Sequence, residues 1–153
     1  MFLLYAEARH LLPIENRGYA DQSLTRMARE VAEKIKRGQP WGSTSTALYA
    51  HLLNLFQLVD RGDAGLDVPR YNGGLFSQAS DVNRFLSGHK LPDSILAVAL
   101  DKLARVKGDA VDYGFIGVRH LGAIYEGLLE YRLTVEDAAA GKVDLLTDKG
   151  ERK

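Results

Sequence analysis

The sequence predicts a mainly α fold: a compact multi-helix domain with long packed loops and a small C-terminal β-hairpin. Three observations predict it. The chain has 153 residues, of which 46% are hydrophobic and 26% charged, enough apolar material for one globular core. Several segments repeat apolar residues at steps of three and four, the period of a helix with one buried face. Only the last segment alternates weakly, as a strand pair does.

Taken in order, the first helix begins at once with Phe2, Leu3 and Ala6, has no capping residue or polar lead-in, and is closed by Pro13. Its abrupt start is what a cut inside a longer helix would leave. Residues 23 to 37 carry Leu24, Met27, Val31 and Ile35 at helical spacing, and Gly38 follows as a stop. The loop "GQPWGSTST" at 38–46 holds the only tryptophan, Trp41. Ser45 and Thr46 then offer caps for a helix through Leu48, Leu52, Leu55, Phe56 and Val59, which Gly62 ends. The long connection "GDAGLDVPRYNGGLFS" at 62–77 suits a packed loop, with positive φ angles at Asn72, Gly73 and Gly74 and apolar anchors at Tyr71, Leu75 and Phe76. Ser80 to Leu86 reads as a short helix stopped by Gly88. Pro92 and Asp93 begin another, through Leu96, Leu100, Leu103 and Val106, which Gly108 stops.

The segment "VRHLGAIYEGLLEYRL" is a further amphipathic helix, with Val118, Leu121, Gly122, Tyr125, Leu128 and Leu129 on one arc and Ile124 at its edge. A glycine inside a helix costs about 1 kcal/mol relative to alanine. Gly122 on the apolar arc and Gly127 on a separate strip therefore suggest close approach of two neighbours. Finally, Leu133 and Val135 before a turn, and Val143 and Leu145 after it, predict the hairpin.

Composition also excludes function classes. Twenty basic residues balance twenty acidic ones, so no global field draws the chain to nucleic acid or to an anionic membrane. The absence of cysteine removes disulfides, thiolate metal sites and cysteine catalysis, and fits a reducing cytoplasm. The longest apolar run, near Met1–Ala6, is far too short to cross a bilayer, and it lacks the basic leader and cleavage site of a signal peptide.

Candidate chemistry is sparse. His10, His51, His89 and His120 lie on separate segments without a metal-ligand spacing. Asp60, Asp63 and Asp67 lack the order and distal glutamate of a calcium loop and mark a turn. Neither a phosphate-binding glycine motif nor a nucleophile elbow is present. The best local basic patch is the 23–37 helix, with Arg26, Arg29, Lys34, Lys36 and Arg37. Glu30 and Glu33 share that face, and the four-residue spacings predict ion pairs across a solvated surface. Lys34, Lys36 and Arg37 are the candidate nucleic-acid contacts, and they would act on phosphates rather than bases.

"VDYGFIGVRHLGAIYEGLLEYRL", residues 111 to 133, resembles the segment ahead of the catalytic domain in type IIG (Eco57I-like) restriction-modification DNA adenine N6-methyltransferases. A similar "LG-x-I-Y-E" helix occurs in the modification subunits of type I systems. Upstream, "FLLYAEARHLLPIE", "LFQLVDRGD" and "VPRYNGGLF" resemble blocks of the helical region in the same proteins, so the resemblance spans most of the chain.

The resemblance implies a helical domain over 1–132 and a hairpin and linker over 133–153, leading to a methyltransferase domain that is not in this chain. It implies S-adenosylmethionine for the full-length parent, but neither the cofactor loop nor the Asn-Pro-Pro-Tyr motif of the family occurs in this sequence. No catalytic, cofactor-binding or metal residue is therefore assigned, and the chain alone is expected to be inert. The implied partners are DNA, through the parent, and the missing domain, in a prokaryotic cytoplasm and without a membrane. The alternative reading from the residues is a free-standing α-helical protein–protein interaction module.

Overall fold

A computed structural model describes residues 1–71, 74–137 and 142–147. Among these the fold is mainly helical, as the periodicity predicts: α1 (Phe2–Ala8), α2 (Arg17–Ala20), α3 (Leu24–Lys36), α4 (Ala47–Arg61), α5 (Asp81–Gly88), α6 (Asp93–Ala104) and α7 (Val118–Leu129). A two-residue strand pair, β1 (Arg105–Val106) and β2 (Asp109–Ala110), follows α6, and β3 (Tyr131–Asp137) pairs with β4 (Lys142–Thr147) after α7. Contacts divide the chain into two compact units, Met1–Tyr113 and Gly114–Lys153. Within the second unit α7 packs with β3.

In the first unit α3 is the central helix, packed against α1, α4 and α6. Its apolar stripe supplies Leu24, Met27 and Val31 to a core completed by Tyr19, Leu55 and Ala97, all nearly or fully buried. Both of its ends are closed by chemistry readable in the sequence. Ser23 caps the start, its Oγ accepting from the Arg26 N–H at 3.2 Å. At the other end Gly38 takes φ +66°, and the N–H groups of Gly38 and Gln39 donate to Ile35 and Lys34 carbonyls, closing a Schellman turn.

Three helix ends differ from expectation. α1 stops at Ala8, well before Pro13, because His10 adopts φ 53° and the His10 and Leu11 N–H groups bond back to Glu7 and Ala6. A histidine here does what glycine usually does. α5 runs through Gly88 instead of stopping at it. α6 ends at Ala104, since Arg105 and Val106 turn extended and pair with Ala110 and Asp109. Lys107 (φ 54°) and Gly108 (φ 93°) form the two-residue connection, both positive as a type I′ turn requires. Gly108 is a hairpin residue rather than a helix stop.

In the described part of the long loop Phe76 is anchored by its stack on Phe56, whereas Leu75, expected as an anchor, is 56% exposed. Asp63 and Val68 form an isolated antiparallel bridge, and the Asp63 Oδ1 accepts from the N–H groups of Gly65 and Leu66. Asn16 ties this turn to α2: its Oδ1 caps Gly18 N–H at 2.8 Å while its Nδ2 donates to Leu66 and Asp67 carbonyls. Gly74 has the expected positive φ, +68°. Asn72 and Gly73 lie outside the described residues.

In the second unit the hairpin register places Leu133 opposite Leu145 and Val135 opposite Val143, the four positions from which the hairpin was predicted. Among the described residues, a Cβ built at Gly122 or Gly127 meets nothing within 4 Å.

Candidate functional site

Lys34, Lys36 and Arg37 fall on the last turn of α3, where cations complement the negative end of the helix dipole. They do not converge. Arg37 pairs with Glu33 at 3.2 Å, and the Lys34 ammonium sits 4.0 Å from the centre of the Trp41 ring, a cation–π contact. Lys36 is exposed.

The shallow groove beside them is lined by Arg29, Glu30, Glu33, Lys34, Arg37 and Gln39, so two carboxylates interrupt its positive charge. Farther up the helix Arg26 holds both Glu30, at 2.9 Å, and Asp21, which raise its already high pKa. Of the ion pairs expected at four-residue spacing, Arg26–Glu30 and Glu33–Arg37 form, whereas Lys34 is drawn to Trp41. This face can meet a phosphate backbone through Lys36 and, once they leave the indole and Glu33, through Lys34 and Arg37. It offers no fixed fork of donors with which to read a base edge.

A chemically richer centre lies inside the first unit and was not anticipated. Glu7, on α1, is 2% exposed and accepts four hydrogen bonds. Its Oε1 takes the Tyr19 hydroxyl and the Leu24 N–H, each at 2.9 Å, and its Oε2 takes the Thr25 N–H at 2.8 Å and the Thr25 hydroxyl at 2.6 Å. Leu24 and Thr25 open α3, so the carboxylate satisfies orphan donors at a positive helix end. Burial foremost, then the adjacent Glu7 charge and hydrogen bond, pushes the Tyr19 phenol far above its ordinary value of 10.0. Tyr19 is thus a fixed donor. The sequence signal was available, because Glu7 follows Leu3 and Leu4 by four and three residues and so shares their buried face.

Asp93 repeats the device. It is buried, its Oδ1 accepting from the Leu48 N–H at 2.9 Å and its Oδ2 from the Ser45 hydroxyl at 2.6 Å. Thr46, the expected cap of α4, makes no capping bond with its side chain, and Asp93 from α6 supplies the anion in its place. Each buried acid thus accepts from the backbone N–H of a helix's first turn, Glu7 from α3 and Asp93 from α4.

An open cleft of about 710 Å³ lies beside Glu7, lined mainly by apolar groups including Leu4, Ile14, Ala28 and Val111, with Arg29 and Tyr113 among its polar residues. Burial raises the Tyr113 phenol, whose hydroxyl donates to the Leu103 carbonyl at 2.8 Å. Among the described residues no group of three or more His, Asp or Glu could hold a metal ion, and no helix is long and apolar enough to cross a membrane. Compared with family models, curated proteins and solved structures, the chain finds no match in any of the three.

Proposed function

We propose that the chain is the helical region of a restriction-modification DNA (adenine-N6) methyltransferase of the type IIG kind, serving as a scaffold beside the catalytic domain and touching the DNA backbone. The reading rests on the sequence resemblance. One structural observation supports it most: three of the resembling blocks, far apart in sequence, pack together. Phe76, from "VPRYNGGLF", stacks on Phe56, from "LFQLVDRGD", with ring centres 4.5 Å apart, and lies 6.4 Å from Phe2, from "FLLYAEARHLLPIE". The Tyr71 N–H also donates to the Val59 carbonyl at 3.1 Å.

In this reading S-adenosylmethionine is bound by the parent outside this chain, and no residue here is assigned to it. Lys34, Lys36 and Arg37 supply phosphate contacts. The test is anisotropy of two labelled duplexes of unrelated sequence, titrated with the chain over a range of salt. Equal affinity for both and a steep fall with salt are expected. Replacing Lys34, Lys36 and Arg37 together by alanine should lower the log–log salt slope by about 3, close to one unit per phosphate contact. No binding at low salt, or an unchanged slope, would remove the DNA contact from the proposal.

A second reading, a protein–protein interaction module, is favoured by α5. None of its residues is buried, and Val82 and Phe85, on one face, are 66% and 60% exposed.

A further inference from the structure

Arg29 is exposed on α3, and the acids one and four residues beyond it are taken, Glu30 by Arg26 at 2.9 Å and Glu33 by Arg37 at 3.2 Å. No hydrogen bond or ion pair engages its guanidinium among the described residues. Arg29 also lines the open cleft of about 710 Å³ beside Glu7, whose described wall belongs entirely to the first unit. Small side chains leave that space: Ala8 on α1, Ala28 and Ala32 one turn apart on α3, Ala104 at the end of α6 and Ala110 on β2. The larger apolar residues of the wall, Leu4, Ile14 and Val111, are buried or half-buried. Its other polar groups are occupied. Thr25 and Tyr19 hold Glu7, the Tyr113 hydroxyl donates to the Leu103 carbonyl, Arg105 pairs with Asp101, His10 lies 3.6 Å from Glu15, and Asp112 is engaged as well.

We infer that this cleft binds a small amphiphilic monocarboxylate, its apolar body along the alanine-lined wall and its carboxylate on the Arg29 guanidinium. The planar guanidinium fork matches a carboxylate with two parallel hydrogen bonds, and here its donors are unused. The volume falls within the roughly 300–1,000 Å³ of small-molecule sites, which join a mainly apolar wall to a few orienting polar groups. Charge sets the direction. Thr25, which holds Glu7, precedes Arg29 by four residues, so the ligand's carboxylate sits roughly 6 Å farther along α3 than that buried acid. Glu7 and Asp112 in the wall repel a second negative group, which favours a monoanion. A free small molecule fits better than a protein segment, because no large apolar residue of the wall stays exposed for a flanking backbone to cover. The inference stands independently of the methyltransferase reading, because it uses only the geometry of the first unit.

The test is methyl NMR of the intact chain titrated separately with octanoate and with octan-1-ol. Saturable shifts centred on Ala28, Ala32, Ala104 and Ala110 are expected with octanoate, and octanol should bind about tenfold more weakly for want of the charged hydrogen bonds. Arg29→Gln changes an exposed residue, so it leaves the fold intact; it should bring octanoate down to the octanol level and leave octanol itself unchanged. Ala32→Leu, which narrows the cleft, should weaken both. Absence of saturation, or shifts elsewhere in the chain, would overturn the site. Equal affinity for the two probes, or an octanoate affinity that Arg29→Gln does not alter, would overturn the carboxylate. Tighter binding of N-acetyl-leucyl-leucine than of octanoate, or Arg29-dependent attachment to phosphatidylglycerol vesicles, would overturn the small molecule in favour of a peptide terminus or a lipid surface.

Discussion

Glu7 shows how one residue can join three elements. Its carboxylate on α1 reaches Tyr19 of α2 and the first N–H groups of α3, so removing it strands several buried donors together. Each stranded group costs about 1–3 kcal/mol, partly relieved by entering water, and Glu7→Ala should destabilise the first unit by about 2–4 kcal/mol in urea unfolding. Glu7→Gln should cost less, because one amide oxygen still accepts, although its NH₂ faces donors on the other side. Tyr19 adds a pH signature. Its folded pKa is raised, so its contribution is fully present below the unfolded value of 10.0 and is lost as pH rises beyond it. Stability should therefore fall above about pH 10, and Tyr19→Phe should flatten that fall without abolishing it, since the Tyr71 and Tyr113 phenols are raised as well. These partners were not legible in the sequence: the Glu7 bonds span 12 to 18 residues, and periodicity reports a face but not what lies opposite it.

At the scale of elements, helix boundaries were legible where the cap is local and obscure where it is borrowed. Ser23 and Gly38 frame α3 from within a few residues, and both were readable. The anion for α4 comes from Asp93, 45 residues beyond Leu48, and no short-range pattern announces it. Asp93→Ala should cost about 1–2 kcal/mol, the range for losing a cap, and its amide-exchange effect should centre on the first turn of α4. Gly62 closes the same helix with φ +70° and ψ 177°, a region essentially reserved for glycine. A Cβ there would lie 2.7 Å from the Val68 carbonyl oxygen and 2.8 Å from the Arg70 nitrogen, both backbone atoms. Gly62→Ala should therefore destabilise by about 2 kcal/mol or more in thermal or urea unfolding. Gly122 behaves oppositely. With no neighbour for its Cβ among the described residues, Gly122→Ala should stabilise α7 by up to about 1 kcal/mol, seen as slower amide exchange in that helix. Periodicity alone could not separate a glycine that admits a neighbour from one that is merely tolerated. The β1–β2 hairpin was missed for a related reason: two-residue strands are too short to show alternation, and Lys107 conceals half of a turn whose other half is Gly108.

For the whole molecule, the mainly helical class and the terminal hairpin follow from pattern, whereas its two-unit division depends on which side of α7 the contacts fall. The candidate contacts were legible only as an inventory of charge. Lys34 and Lys36 lie on the last turn of α3 and Arg37 at its C-cap, but Trp41 and Glu33 already engage two of them, so any DNA affinity should be modest and carried by phosphates. The scaffold reading also implies catalytic silence: incubating the chain with labelled S-adenosylmethionine and duplex DNA should give no methyl transfer. The central claim, that this chain is the helical region of a DNA adenine methyltransferase, is tested most directly by reading the gene past the codon for Lys153. The account predicts an open frame carrying a tyrosine-tyrosine-threonine-proline stretch and then an Asn-Pro-Pro-Tyr motif. A stop codon with neither motif downstream would contradict it.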